Sequence, residues 1–105
     1  MRLSPRDPTI GGWHNFLCLA ELGLGHYDAA IFEANNALDA GYRIFLVHAF
    51  LAAAHALKGE MAEAKTALAE ARRQNRKLTG KSMAERYVNI PTLLEGLRQA
   101  GLPES

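Results

Sequence analysis

The chain has four histidines, one cysteine and three serines with chemistry to offer, and their spacing decides what chemistry that is. His14 and His48 stand 34 residues apart, and His48 and His55 stand seven apart on one helical face. A helical zinc pair needs three-or-four spacing with a carboxylate beside it, as in a His-Glu-x-x-His run, which this sequence lacks. Ligands from 14 and 48 alone do not complete a site. The histidines therefore read as framework residues, and no metal or cofactor is expected. Cys18 lies in an apolar stretch and reads as a buried thiol packing as a small hydrophobe. Ser4, Ser82 and Ser105 have no nucleophile-elbow context, and Gly23 and Gly25 lack the other glycines and the strand of a dinucleotide loop. Asp28, Glu33 and Asp39 read as a solvated helix face. No catalytic residue is expected.

One basic strip stands out: Arg72, Arg73, Arg76, Lys77 and Lys81, with Arg86 nearby. Cations at a helix C-terminus complement its dipole, at about 0.3–1 kcal/mol each, which accounts for the cluster. The alternative is phosphate or nucleic-acid binding, but only Tyr87 is at hand for base stacking. A small His-dependent enzyme is a further alternative.

At 105 residues the chain fits one domain, able to bury about 65% of its unfolded surface. A hydrophobic content of 49% and a charged content of 22% are globular values, far from a disordered profile. The formal charge of +1 is too small to argue for nucleic acid or a membrane surface. A single cysteine excludes an internal disulfide framework and fits a reducing, cytoplasmic compartment. The longest apolar run, residues 44–57, is 14 residues long and carries two histidines. A membrane span takes about 20, so this run is expected in a buried helix. The two early arginines have no apolar stretch behind them, so no secretory signal is expected.

The elements that must position these residues come from an internal repeat. Residues 14–41, moved forward by 34, fall on residues 48–75 with seven identities in 28 positions. The identities are His14/His48, Phe16/Phe50, Leu17/Leu51, Ala20/Ala54, Gly25/Gly59, Ala30/Ala64 and Ala37/Ala71. Each copy predicts two helices. Asp7-Pro8 starts the first, whose apolar stretch runs over 13–24 and ends at Gly25, the residue that enters the left-handed conformation without steric cost. A second helix over about 27–40 carries Ala30, Ala34, Ala37 and Leu38 at three-and-four spacing. The second copy predicts helices over 43–58 and 60–75, broken at Gly59, with Ala64, Leu68 and Ala71 on one face. No useful length alternates with period two, so strands are not expected.

A 34-residue helix–turn–helix period with these residues resembles the tetratricopeptide repeat family. The matching positions are Leu17 and Leu51, followed by the small Cys18 and Ala52, then Gly25-His26-Tyr27 and Gly59-Glu60-Met61, then Ala30/Ala64 and Ala37/Ala71. Two features depart from the family pattern. The usual late aromatic of the first helix is Glu21 in one copy and His55 in the other, and the usual closing proline is Tyr42 and Arg76. The flanks, residues 3–8 and 95–104, resemble the repeat region that closes certain bacterial class III adenylate/guanylate cyclase-like signalling proteins.

The resemblance implies an all-α short solenoid: a lead-in over 1–9, repeats over 10–42 and 43–76, and capping helices over 77–105. In the third segment, Ser82 is expected to cap a helix reaching Tyr87, and Asn89-Ile90-Pro91 to start another ending at Gly101. Gly96 inside that last helix costs about 1 kcal/mol against alanine, so packing is expected to hold it. In the family the first helix of each repeat lines a concave groove, which carries over here to Asn15, Leu19, Leu22, Leu46, Ala49, Ala53 and Ala56. The framework positions carry over to Leu17, Gly25, Tyr27, Ala30, Ala37, Leu51, Gly59, Ala64, Leu68 and Ala71. A largely apolar groove implies a protein or peptide partner, an apolar helix or a second copy, bound without bond chemistry. The expected function is a non-catalytic interaction module, a regulatory or assembly region.

Overall fold

The computed structural model describes residues 8–42 and 44–104, with side chains from residue 12 onward. Among them lie six helices and no strand: α1 Pro8–Gly23, α2 Tyr27–Asp39, α3 Phe45–Leu57, α4 Met61–Gln74, α5 Gly80–Arg86 and α6 Pro91–Ala100. The all-helical expectation holds. The lead-in up to residue 7 lies outside the described residues.

Helices α1 and α2 pack as one hairpin, α3 and α4 as a second, and α2 lies against α3. Both hairpin turns have the same backbone construction. Gly25 (φ 81°) donates to the Leu22 carbonyl at 3.0 Å and His26 donates to Glu21 at 2.9 Å. Thirty-four residues on, Gly59 (φ 86°) donates to Ala56 at 3.0 Å and Glu60 to His55 at 2.8 Å. These paired bonds satisfy carbonyls that a helix end otherwise leaves open, and the left-handed residue they require is the glycine foreseen at each turn.

Small residues set the helix spacing. Ala30, Ala34 and Ala37 on α2, Ala52 and Ala54 on α3, and Ala64 and Ala71 on α4 are all buried. With no side chain beyond Cβ, they let the helices approach closely, and Phe50, Val47, Leu51 and Leu68 fill the gaps. Tyr27 and Leu17 are half-buried.

The third segment begins earlier than expected. Thr79, not Ser82, is the N-cap of α5; Ser82 is its partner in a reciprocal box, each side chain bonding the other's backbone N–H at 3.1 Å. The chain end is tied to the same place, since Gly80 and Lys81 donate to the carbonyls of Pro103 (2.7 Å) and Glu104 (2.9 Å).

Helix α6 gives the main correction. A cap beyond the second repeat would lie chiefly on α4, but α6 packs chiefly on α3 and touches α1 and α4 only slightly. Its Leu93, Leu97 and Ala100 are buried, while Leu94 is half-buried. Gly96 explains how it fits. A Cβ there would stand 2.7 Å from both the Cβ and the carbonyl oxygen of Ala53, so the two backbones meet with no room for a side chain. Ahead of α6, Ile90 reaches Gly23 at the end of α1.

Candidate interaction surface

The groove expected to be open is filled. Leu22, Ala49, Ala53 and Ala56 are buried, and Ala49, Ala53 and Ala56 share one face of α3 at four-and-three spacing. Ala53 is in direct apposition to Gly96 of α6. Leu19 and Leu46 are half-buried against the core, and Asn15 is buried with its Oδ1 lacking a partner among the described residues. The seven carried-over groove positions therefore belong to the core and its margin. The physical reason is that an apolar helical face of this size loses free energy by staying wet, and α6 supplies the nearest matching face.

Three of the histidines each face a carboxylate. His14 Nδ1 lies 3.4 Å from Glu33, His26 3.2 Å from Glu21 and His55 2.8 Å from Glu60. Glu21 and His55, the two departures from the repeat pattern, thus hold the turn residue five positions later. The Glu60 carboxyl is held below its ordinary value, first by the His55 hydrogen bond and then by Lys58, which also bridges to Asp28 on α2. Among the described residues no group of three His, Cys, Asp or Glu stands close enough to hold a metal ion. His48 and His55 border a shallow cleft of about 510 Å³ with Leu38, Thr66 and Glu70.

Cys18 is fully buried, and burial, reinforced by the charge of Glu33, pushes its thiol up to about 12. It packs as a thiol, with no thiolate to offer near neutrality. Two cations of the basic strip have local partners. Arg73 is engaged by Glu70, Arg86 lies 5.7 Å over the Tyr87 ring, and Lys81 borders a cleft with Arg98, Glu95 and Glu104. Charges of both signs there weaken any single-sign field for phosphate. No described helix is long and apolar enough to cross a membrane.

The surface that is open lies elsewhere, on α1. Trp13 is 57% exposed, Phe16 62% and Leu24 68%. With the half-buried Leu17 and exposed Ala20 they form one apolar stripe, because 13, 16, 17, 20 and 24 fall on a single helical face. The Trp13 and Phe16 rings stack with centroids 6.2 Å apart. The repeat shows what such positions do when covered. Their counterparts 34 residues on, Val47, Phe50, Leu51 and Ala54, are 0%, 1%, 7% and 0% exposed. The signal for the stripe was in the register: apolar residues stand at both copies of four of the five positions, with Lys58 the counterpart of Leu24.

No protein-family model, no curated protein and no solved structure matches this chain.

Proposed function

We propose that the chain is a helical-repeat interaction module of the tetratricopeptide type, binding protein through surface complementarity rather than bond chemistry. Two hairpins in an unbroken 34-residue register, with glycine turns at Gly25 and Gly59, support the repeat assignment. The observation that carries the interaction role is the exposed stripe of Trp13, Phe16, Leu17, Ala20 and Leu24. A contiguous apolar patch rich in aromatics marks an interface on a folded protein, and stacked aromatics are typical anchors of binding energy. The interaction surface is therefore the outer face of α1, and α6 occupies the groove that a relative would offer to a peptide. In a longer cyclase-like signalling protein such a face would serve regulation or assembly.

The test places a photo-crosslinking side chain at position 16, and separately at position 73 on charged α4, in cells that make the protein. Discrete adducts from 16 that vanish with Trp13→Glu, and few from 73, are expected. Equal labelling from both positions would sink the interaction role.

A further inference from the structure

We infer that the cleft between α3 and α4 binds a small organic cation, an alkylguanidinium. The cleft shares no residue with the α1 stripe, so this ligand site is separate from the role proposed for that face. Its space of about 510 Å³ is lined by His48, Leu51 and His55 from α3, by Glu63, Thr66 and Glu70 from α4, and by Leu38 from α2. Small-molecule sites run from about 300 to 1,000 Å³, so the cleft has room for a whole ligand.

The ligand class follows from where the polar hydrogens already go. The ionised Glu60 carboxylate can only accept, so it takes the hydrogen on His55 Nδ1 at 2.8 Å and the neutral ring keeps its lone pair on Nε2. Thr66 spends its hydroxyl hydrogen on the Ala62 carbonyl at 3.0 Å, which leaves its oxygen to accept. Arg73 and Gln74 both donate to Oε2 of Glu70, and Oε1 stays open. Glu63 brings a carboxylate with no ion-pair partner among the described residues. His48 is already engaged, its charge acting on Glu70. The cleft therefore offers acceptors from two helices beside the apolar Leu38 and Leu51. A matching ligand brings several donors, a positive charge and an apolar stem. An alkylguanidinium has all three: five N–H donors in one plane, on a cation less strongly hydrated than an ammonium. Acceptors spread over two helices suit that fork better than a point charge.

The experiment titrates the full chain with butylguanidinium, butylammonium and butylurea, the last a neutral compound of the same shape, and follows His55 and Thr66 by NMR. A capped alanine-glycine peptide with one central arginine is the fourth probe. Saturable shifts at His55 and Thr66 with butylguanidinium are expected, with butylurea bound about tenfold or more weakly. Glu63→Gln, a change at an exposed position, should weaken butylguanidinium by about threefold or more without altering the melting temperature. Trp13→Glu should leave the binding unchanged, which keeps this test apart from that of the α1 stripe. Butylurea binding as tightly as butylguanidinium, or shifts confined to residues outside the cleft, overturns the site. Equal binding of butylammonium overturns the choice of guanidinium. Tighter binding of the arginine peptide assigns the cleft to a polypeptide side chain and overturns the free cation. Failure to saturate by about 10 mM overturns the inference outright.

Discussion

His55, near the end of α3, and Glu60, the residue before α4, hold each other across the hairpin turn at 2.8 Å. In the first hairpin the same two positions are Glu21 and His26, so the pair is kept with its partners exchanged, at 3.2 Å. In each case the side-chain contact joins the same two residues whose backbones close the turn. Where such turns usually carry an apolar contact, this protein uses a hydrogen bond.

Acid should loosen the second turn. The Glu60 carboxyl has a folded value below its ordinary 4.5, so its contribution is complete above that pH. The contribution is lost as pH falls through the lowered folded value. Glu60→Gln should therefore melt below the native chain at pH 7, and the gap should close toward pH 3. A constant gap in melting temperature across that range would show that the pair does not stabilise the turn.

Gly96→Ala tests the seat of α6. In an exposed helix this change gains about 1 kcal/mol. Here the added Cβ would meet Ala53 at 2.7 Å, so the expected outcome is a loss of about 1–3 kcal/mol by denaturant titration. Adding Ala53→Gly should restore only part, because the contact includes the backbone oxygen of residue 53. A more stable single variant would place α6 elsewhere.

The same chemical change at two positions separates core from surface. Leu97→Ala should cost about 2–5 kcal/mol, because Leu97 is buried between α6 and its neighbours. Phe16→Ala should alter stability by no more than about 0.5 kcal/mol when assayed dilute, since its ring is mostly in water. Comparable losses at both would make the α1 stripe part of the core.

Gly59→Val should cost more than about 1 kcal/mol. Open space surrounds the position, so the cost is conformational: a β-branched residue resists φ near 86°. Thermal melts that coincide with the native chain would contradict the turn geometry.

Cys18 should resist a water-soluble thiol reagent in the native chain and react once urea unfolds it. Its folded value of about 12 lies above the ordinary 9.0, so the buried thiol's contribution is complete below pH 9. That contribution is lost as pH rises from about 9 to 12, and Cys18→Ala should flatten this part of the alkaline melting curve. Rapid labelling of native protein at pH 8 would contradict the burial.

Local features were legible because local forces decide them. The 34-residue register, the glycines at 25 and 59 and the alanine faces of α2 and α4 follow from helix period and backbone sterics, which act within a few residues. The place of α6 did not follow. Leu93, Leu97 and Ala100 announce a helix with one apolar face, but burial against any apolar face stabilises it, so the pattern alone cannot choose between the end of the array and the groove. Gly96 read correctly as a packing residue, yet that its neighbour is Ala53 is a fact of the tertiary structure. The same holds for the stripe: Phe16 and Phe50 are the same residue in the same register. Phe50 is dry because distant parts of the chain pack on it, the Tyr87 ring edge-on at 5.8 Å among them, whereas Phe16 is 62% exposed.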